Sequence, residues 1–458
     1  MTLWTRFRLE GRHLFRLSWP VILSQVGTMM MGLIDTFVVG RYSSLELAGV
    51  AAGSSIFWTL VMVGLGLLNG MDPIVAQAHG ANEPKRAHRC LGVALQFCMI
   101  YSLLAIPPVL WLAKNMELVG ATPDVAKAAE PFLRMISFSL LPLLLFSALQ
   151  RYWQCFELVV PFTVIIVVAN ILNYILNLAF VTGRWGFPAM GAEGVALATI
   201  ACRIFTLLAA LAVTIYEWRK REPHIQAWTR LGSLLRTIDR SMTRTLFRLG
   251  LPAAGHMTLE VSAFSLTTLL VARLGAETLA THHIVLNIAS FAFMFPLGLS
   301  AATATRVGYH IGRLDRHQAF AAGWLGILSG ALIMSVSAVI LYLFPEWLLG
   351  FFTSDPKVMT LGASIIFLCV LFQIFDGVQV VSAGALRGIG DTRTALLSNL
   401  LGHWGIGLPV GLSLCFWYDR GLPGLWIGLA LGLFLVSVIN TIFWKRREQD
   451  PALGAIGT

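Results

Sequence analysis

Three acidic side chains stand where an acid has no ordinary place. Asp35 lies in MGLIDTFVVG, Glu260 in HMTLEVSAF and Asp376 in FQIFDGVQV, each among apolar residues. If such stretches cross a lipid bilayer, an ionised carboxylate near the centre costs roughly 2.5 to 3.5 kcal/mol on insertion scales. A group that costly needs a partner or a task. For Asp35 the candidate partners are Asn173 and Asn177 in NILNYILN, because an i, i+4 spacing puts both amides on one helix face. Amides donate to a carboxylate and accept from its protonated form, although the same groups could simply glue helices together. Neither Glu260 nor Asp376 has a Lys or Arg within a helical turn; His256, one turn before Glu260, can pair with it if protonated. Two carboxylates brought together could bind a monovalent cation such as Na+, or share a proton. Either event would couple an ion gradient to conformation, since one elementary charge moved across ~100 mV supplies ~2.3 kcal/mol.

Other polar positions carry less. Gln25, Asn287 and Gln379 either line a polar cleft or bond neighbouring helices. Asp72, in NGMDPIVAQAHG, reads as a gate or cap, Arg203 as a local pair or a snorkelling side chain, and His282 and His283 as groups near an interface. Met29 to Met31, Phe57, Trp58, Phe291, Phe293, Phe295 and Phe375 offer an adaptable apolar surface, or ordinary packing.

The elements that must position these residues are membrane helices. With 57% hydrophobic and only 12% charged residues over 458 positions, the chain has too little polar surface to cover a globule in water. Charge-free stretches such as 47–71, 91–113, 158–183 and 278–305 each match or exceed the ~20 residues that span a bilayer as helix. Continuous apolar runs exclude a barrel, which needs alternating segments. Twelve transmembrane helices are expected in an all-α integral membrane fold, with helices 4 and 9 apolar from about Met135 and His317. The first apolar stretch is too long for a cleavable signal peptide and lacks a small-residue cleavage pattern.

An internal repeat organises the helices. RLSWP at Arg16 to Pro20 returns as RLGLP at Arg248 to Pro252, an offset of 232 residues that then holds without a gap through Gly66 with Gly298, Val75 with Val307 and Gly80 with Gly312. An even number of helices per half makes the repeats parallel. The expected organisation is an amino-terminal six-helix lobe over 1–217, a basic cytoplasmic linker over 218–247, a carboxy-terminal lobe over 248–446 and a tail over 447–458. Two such lobes around a central cleft suit alternating access. Lys and Arg crowd alternate loops, notably Arg6 to Arg16, Lys85 to Arg89, Arg219 to Arg248 and Lys445 to Arg447, which places both termini in the cytoplasm. This scatter accounts for the net charge of +10 without nucleic acid. Six widely spaced cysteines indicate neither a metal site nor a disulfide framework, and no HExxH or other catalytic motif points to an enzyme.

The helix 1 proline followed by MGLIDTFVVG, then GLGLLNGMDPIVAQAHGA, NILNYILN with GFPAMGAEGVALAT, the Glu260 segment and FDGVQVVSAGALRGIGD resemble the multidrug and toxic compound extrusion (MATE) family, in particular its NorM-type bacterial members. The resemblance implies a multi-pass inner-membrane antiporter, expected to be monomeric and without a cofactor, that exports small organic cations and amphipathic drugs in exchange for Na+ or H+. By position it makes Asp35, Asn173 and Asn177 the amino-terminal site, and Glu260 with Asp376 the carboxy-terminal cation site. NorM-type members can have a tyrosine one turn before the second-lobe Asp; here it is Phe372, which removes a possible oxygen ligand for Na+. The alternative is a flippase for a lipid-linked precursor, which would require Arg and Lys for phosphates in place of these carboxylates.

Overall fold

The computed structural model describes residues 3–119, 122–221, 227–353 and 355–450, and its regular elements there are all helical. Twelve spans follow in order: α1 Leu3–Tyr42, α2 Ser44–Leu68 continued by Met71–Gly80, α3 Pro84–Lys114, α4 Pro123–Ser137 continued by Leu140–Cys155, α5 Val160–Phe180 and α6 Gly191–Arg221. The second series is α7 Arg240–Val271, α8 Ala276–Gly312, α9 Arg316–Leu343, α10 Pro356–Gly388, α11 Thr392–Trp417 and α12 Gly421–Gln449. Eleven are long and apolar enough to cross a membrane by themselves, and α4 completes twelve as a pair bent by 45°. Helix 4 thus begins at Pro123, ahead of the apolar run starting near Met135, because its first segment is amphipathic.

Both broken spans have a proline behind the break. Pro142 has no N–H for the carbonyl of Phe138, and Pro73 none for that of Asn69; regular helix is interrupted just there, with a 45° bend in α4. The repeat partners of Gly70 and Pro73 are Ala302 and Thr305, and α8 runs unbroken.

Two compact units emerge, Val26–Met71 with Pro84–Phe247, and Met1–Gln25 with Asp72–Glu83 and Arg248–Thr458. Their boundaries fall inside α1 and α2, so they differ from the sequence halves at those helices. Within the first unit, glycines let helices approach: Gly49 and Gly53 of α2 lie on Ala128 and Phe132 of α4, and Gly194 of α6 on Phe180 of α5. Part of the linker folds here as well. A helix over Ala227–Arg236 ends beneath Gln96 of α3, whose amide donates to the carbonyls of Leu234, Leu235 and Thr237 at 2.9–3.2 Å. Residues 222–226 of the linker and 451–458 of the tail lie outside the described residues.

In the second unit the end of α2 crosses α8 with backbone against backbone. A Cβ at Gly80 would collide with the Tyr309 carbonyl oxygen, and one at Gly312 with that of Gln77. Between these contacts Gly308 faces Ala76. The offset of 232 exchanges 76 with 308, 77 with 309 and 80 with 312, so one contact is made twice about a local two-fold.

Candidate functional site

Asp35 sits on α1 about two turns before its end, and three neutral donors converge on it. Asn173 Nδ2 at 3.0 Å and Asn177 Nδ2 at 2.7 Å donate to Oδ1, both from α5. Thr199 Oγ1 of α6 donates to Oδ2 at 3.0 Å. The i, i+4 expectation therefore holds, and Thr199 is a ligand the sequence reading missed. Its segment, GAEGVALAT, carries no polar periodicity to single it out. The carbonyl oxygens of both asparagines are buried without a protein partner; by rotating an amide, the same cage can accept from a protonated carboxyl. Arg203, one turn beyond Thr199, turns elsewhere: it donates to Ser139 Oγ and lies over the Phe57 ring, 4.7 Å from its centroid. Phe57 is consequently buried beneath a guanidinium and gives no adaptable surface.

The second group is built differently. Glu260 of α7 accepts from Gln379 Nε2 of α10 at 2.5 Å, and His256 Nε2 stands 3.9 Å from its other oxygen. Asp376, one turn before Gln379 and buried, lies within electrostatic range of Glu260. Gln379, which the sequence left between lining a cleft and bonding a neighbouring helix, bonds Glu260 of α7. Gln25 and Asn287 do not: among the described residues no side-chain hydrogen bond ties either to these carboxylates, and Asn287 is exposed. Phe372, one turn before Asp376, packs edge-on against Trp426 at 5.7 Å within an apolar cluster. Oxygens that could meet Na+ come from Glu260, Asp376 and Gln379, whose Oε1 is buried without a protein partner.

His282 is buried; Trp426 Nε1 donates to its Nδ1 at 3.2 Å, which leaves Nε2 as the protonated nitrogen facing Thr268 Oγ1 at 2.9 Å. His283 is exposed. Asp72 pairs with Arg387 at 3.0 Å. A further buried pair had no local signal, because its members lie almost three hundred positions apart: Arg306 Nε and Nη2 grip the two oxygens of Glu10 at 2.7 Å each, with His310 Nε2 3.1 Å from Oε2. All six cysteines are buried and none forms a disulfide among the described residues. With Arg306 and Arg387 on carboxylates and Arg203 on Ser139 and Phe57, these interior guanidiniums are not gathered for a phosphate. The flippase alternative gains no support from them.

The fold has its counterpart in known proteins. The MatE family model matches residues 20–179 and again 252–412, the two matches beginning 232 positions apart at Pro20 and Pro252. The chain belongs to the MatE family. It is 32% identical over 451 residues to a probable multidrug resistance protein NorM of Mesorhizobium japonicum, covering 97% of this chain and 95% of the relative. It is 29% identical over 456 residues to the multidrug resistance protein NorM of Vibrio cholerae, covering 97% and 98%. Among solved structures, a mutant of the Vibrio cholerae MATE transporter VcmN superposes with TM-score 0.86 at 18% identity, covering 98% of this chain and 99% of the other. The eukaryotic MATE transporter AtDTX14 does so with TM-score 0.83 at 22% identity, covering 97% and 98%. This is a multi-pass membrane protein with the two-lobe, twelve-helix fold of those transporters, and its relatives are named as transporters, not enzymes.

Proposed function

We propose that the protein is a secondary antiporter of the cytoplasmic (inner) membrane that exports small organic cations and amphipathic drugs in exchange for Na+ or H+. The observation that carries this reading is Asp35, a carboxylate inside a span held by three neutral donors, with no Lys or Arg hydrogen-bonded to it among the described residues. Such a carboxylate can take up a positive charge, whether a proton or an organic cation, and release it again. Glu260 and Asp376, with Gln379 between them, form a second acceptor with two acids, suited to the coupling ion. Parallel duplication supplies the means of alternating access by motion of one half against the other. Both termini face the cytoplasm, in keeping with the crowding of Lys and Arg on alternate loops, and the working unit is a monomer.

The test is transport of ethidium, a fluorescent organic cation, in proteoliposomes with Na+ and pH gradients imposed separately. Exchange driven by at least one gradient, and lost in Asp35→Asn and in Glu260→Gln, is the expected outcome. Ethidium flux that ignores both gradients, or persists in both variants, would refute it.

A further inference from the structure

Beside the Glu260 group, α11 abandons regular helical geometry and winds as π-type turns over Leu400–Gly407 and Ser413–Trp417. Wider turns of this kind rotate side chains out of helical register and frequently mark functional positions. Two polar residues stand at the start of the first. Asn399 and His403 are fully buried, and neither the two amide atoms of Asn399 nor the two ring nitrogens of His403 have a hydrogen-bond partner among the described residues.

Their neighbours reach the two helices that carry the carboxylates. Trp404 Nε1 donates at 3.0 Å to the carbonyl of Leu259, the residue before Glu260. The His403 ring lies 6.1 Å from that of Phe264, one turn after Glu260, and His403 is within electrostatic range of His256. On the other side, Ser398 donates at 2.7 Å to Asn440 Oδ1, while Asn440 Nδ2 reaches the carbonyl of Gln379 at 3.5 Å. Gln379 Oε1 and His256 Nε2 are likewise buried with no hydrogen-bond partner among the described residues, His256 Nε2 standing 3.9 Å from Glu260. The titratable groups facing this region are His256 and Glu260 of α7, Asp376 and Cys369 of α10 and His403 of α11; Arg387, further along α10, is taken by Asp72. From α12 comes the neutral Asn440.

The unmet groups are of both kinds. Asn399 brings two N–H donors and one carbonyl; a neutral imidazole brings one N–H and one lone pair. A bare alkali cation satisfies the acceptors alone and repels the N–H groups. Water satisfies both, given two to four polar partners. We infer that Asn399 and His403 hold ordered water that joins the Glu260–Asp376 pair, and that the His403 ring relays protons through that water to the pair. A proton arriving on the first water as hydronium passes to the bare nitrogen of the imidazole, and the other N–H bond breaks to give its proton to the next water, so that each water ends neutral. The Glu260 carboxylate gains an O–H bond at the end of the chain, and the ring is left neutral. The inference rests on the coupling role proposed for Glu260 and Asp376, and within it selects H+ over Na+.

The experiment uses the full chain in proteoliposomes, with ethidium as the organic cation. Stopped-flow exchange after a pH jump is compared with exchange after a Na+ jump, in H2O and in D2O. The native protein is expected to respond to the pH jump and to slow in D2O. His403→Phe keeps the ring volume without nitrogens and should slow proton-driven exchange at least about tenfold, while equilibrium ethidium affinity stays within about twofold. His403→Gln, which restores one donor and one acceptor, should recover part of the rate. If His403→Phe fails to fold, Asn399→Leu and His403→Gln are read in the same assay, and native rates in both overturn the proposal. Native rates in His403→Phe, or exchange driven by Na+ alone, also overturn it. Loss in Glu260→Gln with retention in His403→Phe would sink the water path and leave the transport reading standing; retention in both Glu260→Gln and Asp35→Asn would sink the transport reading itself.

Discussion

Acidic residues at the helix ends and acidic residues in the span interiors are treated in opposite ways. Near the ends, Glu10 is gripped by Arg306, Asp72 by Arg387, and Asp391 by Arg447 at 2.7 Å. By the alternation of spans these three pairs share one side of the membrane. In the interiors, Asp35 is met by two amides and a hydroxyl, and Glu260 by an amide, a histidine and a second acid. An acid already facing a guanidinium is neutralised where it stands and serves to hold helices. An acid surrounded by neutral donors is ordered without being neutralised, and keeps its capacity for a cation. Both kinds are buried, and the partner separates scaffold from machinery.

That distinction can be broken by substitution. Asp35→Asn preserves shape and still accepts from Asn173 and Asn177, so ethidium efflux from cells should fall to the empty-vector level while the thermal midpoint in detergent stays native. A protein that still exports would place Asp35 with the scaffold. Glu260→Gln and Asp376→Asn should each lower gradient-driven exchange by about tenfold or more, and the double variant should be no worse than the poorer single one, since the two acids act as a unit. Additive losses would mean two independent sites. Glu10→Gln should act in the other sense: it leaves Arg306 buried and uncompensated, which costs about 3 to 5 kcal/mol. The expected result is a lower thermal midpoint and less inserted protein, with exchange per folded molecule nearly kept. Transport lost at native stability would erase the contrast. Thr199→Val is the mildest case. It removes one of three donors for about 1 kcal/mol, and efflux should drop several-fold, well short of the Asp35→Asn loss.

The legible parts of the sequence were those with local periodicity. Twelve spans follow from apolar length, and the Asn173 and Asn177 pairing with Asp35 from an i, i+4 face. The repeat offset followed from a proline and glycines in register. What stayed hidden depended on contacts between distant helices. Thr199 faces Asp35 only because Gly194 lets α6 close on α5. Glu10 finds Arg306 across the length of the chain. Gln25, Asn287 and Gln379 looked alike as isolated amides, and only helix rotation sends Gln379 to Glu260 while leaving Asn287 exposed. The first segment of α4 was lost for another reason: its charges dilute the hydropathy that marked every other span.

The crossing of α2 with α8 carries a consequence for how the chain tolerates change. Gly80 and Gly312 each press a bare Cα against the other helix's carbonyl, through one geometry repeated about a two-fold. A methyl group at either position must push the same two helices apart. Once they have separated, the second methyl meets space already opened, so Gly80→Ala and Gly312→Ala should be strongly non-additive, the pair costing little more than one alone. Duplication has thereby turned two positions far apart in the chain into a single mechanical variable.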